Sequence, residues 1–258
     1  MDAIERYLND QTPLQLAVCH IEVVKLLLDN GANVNAKRHY KLSALQQAAS
    51  GGHLGVVRLL LDHGAYVNAQ EEEESALHQV ALNGDLEIVK LLLENGSNGG
   101  TALQQAASHG DLEVVKLLLE KGSGIKAQIK TALEWAASGG RLEVVKLLLN
   151  HGANINVKGG TALQQAASSG HLEITKLLLE KQFDVNAQVV GDRSALQLAA
   201  ISGDLKLVKL LLENGANCKC KGRKIWNCSS RGSIWWSFRC IQVIVGEWSR
   251  YECKRREL

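Results

Sequence analysis

The feature that most constrains this chain is a short string, Thr or Ser followed by any residue and then Leu, which recurs through most of its length. The string begins at Thr12, Ser43, Ser75, Thr101, Thr131, Thr161 and Ser194, so that successive copies lie 26 to 33 residues apart. Self-similarity at a period of about 20 to 50 residues is the signature of a repeat architecture. We therefore expect one structural unit repeated seven times rather than an irregular helical domain.

Each copy predicts two short helices joined by a turn. In the copy TALQQAASSGHLEITKLLLEKQFDVNAQ, Thr161 and Gln164 have the spacing of a capping box, in which each side chain hydrogen-bonds to the backbone N–H of the other. A glycine then ends the first helix, and Asp or His begins the second. In the second helix of the fourth copy, Leu112, Val115 and Leu118 recur at helical period and predict one apolar stripe.

A two-helix unit of about 30 residues cannot bury its apolar stripe alone, whereas stacked copies bury it against one another. We therefore predict an all-α solenoid of about seven helix-turn-helix repeats with short β-turn loops. The array comprises residues 12–217, and residues 1–11 form a separate N-terminal segment.

The residues that carry this pattern resemble those of the ankyrin repeat. The matching motifs are TPLQLA from Thr12, GANVN from Gly31, VVKLLL from Val114 and GHLE from Gly170, and the resemblance covers residues 12–217. The repeat sequence is similar to that of tandem ankyrin arrays in large fungal signalling proteins, where such arrays act as sensor or scaffold regions. One departure is that TPLH has become TALQ in most copies, so the hydrogen bonds that brace typical repeats must be remade by Gln or be lost.

Three copies depart from their neighbours in ways that predict local defects. The first copy is two residues short between its helices, and the loop after the third, NGSNGGTAL, is four residues shorter than its counterpart after the fifth. We expect the loop finger after the third copy to be missing. Gln182 replaces the glycine that is expected in a left-handed conformation after the second helix, at a cost of about 1 kcal/mol.

Residues 218–258 break the pattern. They hold five of the six cysteines and four of the five tryptophans, with a net charge of +7 (10 Lys+Arg minus 3 Asp+Glu) against −5 (19 minus 24) for residues 1–217. Trp226, Trp235, Trp236 and Trp248 lie at the spacings of the glycines of one repeat. The Trp codon TGG, when it is read one base later, begins with GG and encodes Gly. We infer that these residues are an eighth repeat translated out of frame, and we expect a disordered tail.

Two other readings of this tail are weaker. Its cysteines have no standard zinc-finger spacing, and zinc requires a closed set of soft ligands. Its basic and tryptophan-rich composition could suggest nucleic-acid binding through phosphate contacts and stacking. Because a frameshift explains the Cys, Trp and Arg enrichment together, we predict neither a metal nor a nucleic acid as a ligand of this chain.

The array offers no constellation for catalysis, such as a nucleophile beside a base, a P-loop or an HExxH motif. We expect no enzyme activity and no cofactor. The N-terminus has no signal-peptide apolar region, and no apolar run is long enough to cross a membrane. Cys19, the single cysteine of the array, cannot form a disulfide framework, which favours a cytoplasmic location, with the nucleus as the alternative.

Three groups of residues are candidates for contact with a protein partner. The first finger carries the basic run Lys37, Arg38, His39 and Tyr40, and the second finger the acidic run Glu71, Glu72, Glu73 and Glu74. These neighbouring charges could be recognised by a partner, could attract each other, or could simply be solvated. Trp135 occupies a position held by Gln in sister copies. Such an aromatic residue can anchor a partner, but Leu16 and Leu198 at the same position favour packing instead.

The resemblance implies a non-enzymatic protein–protein interaction scaffold that uses the concave face and loop fingers, and we expect a monomer. Three alternatives stay open at this point. The chain could be an inhibitor that masks a site on its partner. It could also be the regulatory fragment of a larger signalling enzyme or STAND-type protein, or a degenerate gene product with no selected function.

Deletion of residues 218–258 tests the out-of-frame interpretation. The shortened chain is expected to keep its helical circular dichroism per folded residue and to be more soluble, because the deletion removes the β-prone apolar run IQVIV that begins at Ile241. A cooperative loss of the helical signal on deletion would contradict the interpretation.

Overall fold

The computed structural model describes residues 11–36, 42–68, 75–121, 128–153, 161–187 and 193–217. These residues form seven pairs of helices, one pair for each predicted copy. The first helices of the pairs are α1 (Pro13–Leu16), α3 (Ala44–Ser50), α5 (Ala76–Asn83), α7 (Gly100–His109), α9 (Ile129–Ser138), α11 (Thr161–Ser168) and α13 (Ala195–Ser202). The second helices are α2 (Ile21–Asp29), α4 (Leu54–Asp62), α6 (Leu86–Glu94), α8 (Leu112–Lys121), α10 (Leu142–Asn150), α12 (Leu172–Glu180) and α14 (Leu205–Glu213). Residues 1–10 and the predicted out-of-frame tail, residues 218–258, lie outside the described ranges.

The helices stack in two layers, which confirms the predicted all-α solenoid. Each first helix packs against the first helices before and after it, and each second helix does the same in its own layer. At every boundary after the first, the first helices approach one another more closely than the second helices do. Pairs of buried alanines, such as Ala106 and Ala107 on α7 and Ala136 and Ala137 on α9, permit this approach. The tighter layer must lie on the inside of any curvature, so the free side of the first helices is the concave side.

The core lies between the two layers and between successive repeats. On α8 the buried residues are Val114, Val115, Leu117 and Leu118, while Leu112 of the predicted stripe is only partly buried, so the buried surface is wider than the stripe and shifted from it. The set is wider because this helix packs on its own first helix and on the neighbouring repeats at the same time. The outer side of α8 carries Glu113, whose carboxylate lies 2.7 Å from the Lys116 ammonium group.

Complete capping boxes are present at Thr12, Ser43 and Ser194, whereas Ser75 caps α5 only by accepting from the His78 N–H. At Ser43 the backbone N–H donates to Gln46 Oε1 over 2.7 Å, and the Gln46 N–H donates to Ser43 Oγ over 3.2 Å. The same arrangement occurs at Thr12 and at Ser194. Glutamine thus remakes a bracing role in these copies. In the first copy, Gln15 Nε2 also donates to the Leu42 carbonyl at the start of the next repeat.

The predicted box is wrong in two copies. The helices α7 and α9 begin before the threonine, with Gly99 and Gln128 at their N-caps. The short loop after α6 delivers the chain directly into α7, and the buried Ile129 adds an earlier turn to α9. The Thr161 side chain lies outside the described part of the structure, so the box predicted there stays a prediction. Gln164 Nε2 donates to the carbonyls of Ala187 and Arg193 in the next repeat.

The predicted local defects are confirmed. Helix α1 has only four residues, and only five residues separate the end of α6 from the start of α7, which leaves no room for a finger. Gln182 has a φ of +63°, and it is the only residue other than glycine with positive φ among the described residues. At the equivalent place after α10, Gly152 has a φ of +80°.

Replacing Gln182 with glycine is expected to raise the free energy of unfolding by about 1 kcal/mol, because glycine adopts positive φ without a Cβ clash. The reciprocal change, Gly152→Gln, is expected to lower the free energy of unfolding by a similar amount. Urea denaturation followed by circular dichroism measures both. An unchanged or lower midpoint for Gln182→Gly would contradict the expectation.

Candidate functional site

One row of side chains runs along the free, concave side of the first helices. It consists of the fifth residue of each copy, counted from the starting Thr or Ser, and we call it the fifth-position row. Its members are Leu16, Gln47, Gln79, Gln105, Trp135, Gln165 and Leu198. All seven are exposed or partly exposed. By contrast, Ala136 and Ala137, which follow Trp135 on α9, are buried. The row is therefore the surface that this layer offers to solvent.

Trp135 is the largest side chain in this row. It has 48 % of its surface exposed, although Leu133 two residues before it and Ala136 directly after it are buried in the core. About half of the tryptophan surface is therefore packed against the protein, and the other half is in contact with solvent. Leu16 is exposed to a similar degree, whereas Leu198 is only partly exposed, so the apolar members of the row differ in their environment.

The fifth-position row carries no ionisable side chain. The charged residues nearest to Trp135 on the same helix are Lys130 and Glu134, whose Nζ and Oε1 atoms lie 3.9 Å apart as an ion pair. The outer side of the second helices is, by contrast, lined with charges. There the hydrogen bond and the charge of Lys90 lower the pKa of the Glu87 carboxyl, and Glu87 in turn raises the pKa of Lys90. Because both side chains of this pair are largely in contact with solvent, we assign it no functional role.

Asparagine side chains fix the bases of the fingers to the following repeat. Asn68 Nδ2 donates to the Gly96 carbonyl over 2.9 Å, and its Oδ1 accepts from the Asn98 N–H over the same distance. Asn35 holds Gly64 and Tyr66 in the same manner. Asn186 does so with Gly215 and Asn217. Each amide thus closes a two-bond clamp between neighbouring repeats and sets where a finger emerges.

A second set of inter-repeat bonds ends on a carbonyl at the end of three of the first helices. The Ser138 carbonyl lies 3.0 Å from His171 Nε2, and the Ser108 carbonyl accepts from Arg141 Nε over the same distance. His171 is the N-cap residue of α12, but its side chain makes no hydrogen bond to the first turn of that helix. It bonds to the preceding repeat instead. By contrast, Asp85, Asp111 and Asp204 accept bonds from the first turns of their helices, as predicted.

The predicted finger residues lie outside the described ranges. This applies to the basic run Lys37, Arg38, His39 and Tyr40 and to the acidic run Glu71, Glu72, Glu73 and Glu74. The structure therefore neither brings these two runs together nor separates them from Trp135, and their role stays a prediction.

Tyr66 is an exposed aromatic residue that the sequence analysis missed. Its ring has most of its surface in solvent, while its backbone N–H is held by the Asn35 clamp. Sister copies have Asn33, Asn98 or Asp184 at this place. The departure from this polar pattern is a signal that could have identified it.

The described residues contain no cluster of three or more His, Cys, Asp or Glu side chains that could hold a metal ion. Several histidines serve local structure, since His63 Nδ1 and His151 Nδ1 each lie 2.9 Å from a carbonyl of the preceding helical turn. Among the helices that the structure describes, none has the length and hydropathy needed to cross a membrane.

A family model for ankyrin repeats matches the chain in five overlapping segments, residues 2–71, 20–99, 77–159, 126–189 and 157–222. These matches cover most of the sequence, and the paired helices, inter-repeat clamps and glycine turns described above agree with them. The chain belongs to the ankyrin repeat family, whose fold is a general module for protein–protein interaction.

Solved ankyrin structures share this architecture. The human ASB11 ankyrin repeat domain is 26 % identical to this chain, with a TM-score of 0.69, and the alignment covers 81 % of this chain and 100 % of that domain. The ankyrin repeat domain of Bcl-3, a member of the IkappaB protein family, is 27 % identical, with a TM-score of 0.61 and coverages of 79 % and 98 %. A comparison with curated protein sequences finds no significant match.

The Asn68 clamp can be tested with a matched pair of variants. Asn68→Ala removes both bonds and is expected to lower the free energy of unfolding by about 1 kcal/mol and to speed hydrogen exchange at the Asn98 amide. Asn98→Ala is the control, because Asn98 enters the clamp through its backbone N–H. Equal effects of the two substitutions on stability and exchange would show that the clamp does not hold this finger base.

Proposed function

We propose that this chain is a non-enzymatic protein–protein interaction scaffold whose partner lies along the concave side, in contact with the fifth-position row and the loop fingers. The observation that carries the proposal is the half-exposed Trp135 ring at the middle of a row that has no ionisable side chain. A membership in the ankyrin family supports a protein partner in general, and the exposed row supports this particular surface.

Trp135 has the properties of an anchor. It lies on a helix whose backbone is fixed by buried Ala132, Ala136 and Ala137. Little conformational freedom would therefore be lost when a partner covers the ring. Tryptophan is enriched among residues that dominate binding energy at protein interfaces, because it offers a large apolar area with few rotatable bonds. We infer that an apolar side chain of the partner covers the exposed half of the ring.

The row around Trp135 supports a protein partner rather than a nucleic acid. Proteins that bind nucleic acids present clustered Lys and Arg side chains that neutralise the phosphates. The fifth-position row has glutamine amides instead, and Lys130 nearby is paired with Glu134. Glutamine amides both donate and accept hydrogen bonds, which suits the backbone and the neutral side chains of a polypeptide.

The fingers are the second part of the proposed surface. We propose that Lys37, Arg38, His39 and Tyr40 and the acidic residues Glu71, Glu72, Glu73 and Glu74 recognise charges at the rim of the same partner. The clamps at Asn35 and Asn68 support this role, because they fix the starting points of the two fingers. Tyr66 is added as an exposed aromatic contact beside the second finger. We further propose a cytoplasmic or nuclear location, because Cys19, the one cysteine among the described residues, is free.

The test replaces Trp135 with the residue of its sister repeats. Trp135→Gln matches Gln105 and Gln165 at equivalent positions, so the fold is expected to tolerate it. Partners are first captured from a lysate on the immobilised full chain, and each purified partner is then measured by isothermal titration calorimetry. The dissociation constant is expected to rise at least about tenfold for Trp135→Gln.

The control is Lys146→Gln on the outer side of α10, which exchanges an exposed charge far from the row and is expected to leave the dissociation constant unchanged. Circular dichroism and the urea midpoint of both variants establish that the fold is retained. A partner that binds Trp135→Gln as tightly as the original chain, but loses affinity for the outer-side variant, would show that the concave side is not the binding surface.

A further inference from the structure

Five Asn–Gly pairs occur in this chain, and at such a pair the backbone can attack the asparagine side chain. The pairs begin at Asn30, Asn83, Asn95, Asn98 and Asn214. Glycine after asparagine leaves the attacking nitrogen uncrowded, because glycine has no Cβ. The sequence alone does not distinguish the five pairs. All of them lie among the described residues, so the structure shows what holds each one in place.

Four of the pairs are held at both groups that would react. Asn30, Asn95 and Asn214 each donate through Nδ2 to a carbonyl of the preceding helical turn over 2.8 Å. Asn83 Nδ2 donates over 2.9 Å to the Ser50 carbonyl of the preceding repeat. The glycine N–H after each of these four asparagines is also bonded, to a helix carbonyl 2.9 to 3.0 Å away. Reaction at these four sites therefore requires both hydrogen bonds to break.

Asn98 differs from the other four because neither of its reacting groups is held. Its side chain is exposed, and its amide makes no hydrogen bond to any part of the chain that the structure describes. The N–H of Gly99 also has no bond to the described residues, because Gly99 is the N-cap of α7 and precedes the hydrogen-bonded turns of that helix. The Asn68 clamp holds Asn98 only through its backbone N–H, over 2.9 Å. The side-chain amide and the following nitrogen therefore stay available for reaction.

We propose that Asn98 is a modification site at which the folded chain deamidates spontaneously and selectively. The Gly99 nitrogen loses its proton to solvent and attacks Asn98 Cγ. The bond from Cγ to Nδ2 then breaks, and Nδ2 takes up a proton and leaves as ammonia. The cyclic imide that results is opened by one water molecule, which is the only other reactant. Opening at the side-chain carbonyl gives aspartate, and opening at the backbone carbonyl gives isoaspartate.

Either product changes the boundary between the third and fourth repeats. Aspartate places a negative charge just before the first turn of α7, whose unpaired N–H groups favour it. Isoaspartate instead carries the main chain through the former side chain and inserts a methylene group after the N–H that Asn68 holds. Only five residues connect α6 to α7, so no loop finger is present to take up the inserted atom. We expect isoaspartate to loosen the Asn68 clamp as the protein ages.

The experiment ages the purified full chain at neutral pH and follows deamidation by peptide mapping with tandem mass spectrometry. Trypsin releases Asn95 and Asn98 in the same peptide, from Leu91 to Lys116, and its fragment ions report the two sites separately. Asn98 is expected to deamidate at least about tenfold faster than Asn95, because the two hydrogen bonds at Asn95 must break first. The chain unfolded in urea is the control, since unfolding removes these bonds and is expected to bring the two rates together.

The variant Asn98→Gln separates the modification from its consequence. Glutamine keeps the amide but would have to form a larger ring, so it is expected to react far more slowly. As the original chain ages, the amide of residue 98 is expected to exchange hydrogen faster and the urea midpoint to fall, whereas Asn98→Gln keeps both values. Deamidation of Asn95 in the folded chain at the rate of Asn98 or faster would overturn the proposal. An aged chain whose five Asn–Gly pairs all remain intact would overturn it as well.

Discussion

The close approach of the first helices is the constraint on which the rest of this structure depends. A pair of helices cannot bury valines and leucines on both of its sides, so each repeat relies on its neighbours for a core. Small side chains such as Ala106 and Ala137 let these helices nearly touch, while the leucines of the second helices keep the other layer wider apart. The difference in spacing makes the first-helix side concave, and it is this side that presents Trp135.

Hydrogen bonds at the repeat boundaries are constant in their acceptors and variable in their donors. The carbonyls of Ser50, Ser108 and Ser138 lie at one repeat position, yet they receive bonds from Asn83, Arg141 and His171 in turn. Backbone geometry fixes the acceptor, because stacking already determines where the helix ends. Any side chain of adequate reach can then supply the donor. The glutamines that replace the family's histidine also use backbone acceptors, since Gln15 and Gln164 donate to carbonyls of the following repeat.

Sequence alone was sufficient for what repeats in this protein and insufficient for what does not. The starts of the copies, the missing finger and the positive φ of Gln182 follow from comparison between copies, because equivalent residues meet equivalent environments. The early starts of α7 and α9 do not follow, because they depend on a shortened loop and on the burial of Ile129 against a neighbour. The exposed ring of Tyr66 does not follow from helical periodicity, because it lies in the loop after α4. The basic and acidic fingers stay predictions from sequence.

The same comparison indicates where function is encoded in such an array. Residues that match their counterparts are explained by stacking, and they would be required whatever the protein binds. Residues that depart from the pattern at buried places are repairs or defects, as Thr175 shows by turning its hydroxyl back to the His171 carbonyl. Departures at exposed places have no such structural cause. Trp135 on the concave side, Tyr66 in the loop after α4 and Ile201 on α13 are departures of this kind, so their surfaces are the ones that stacking leaves free to be shaped by a partner.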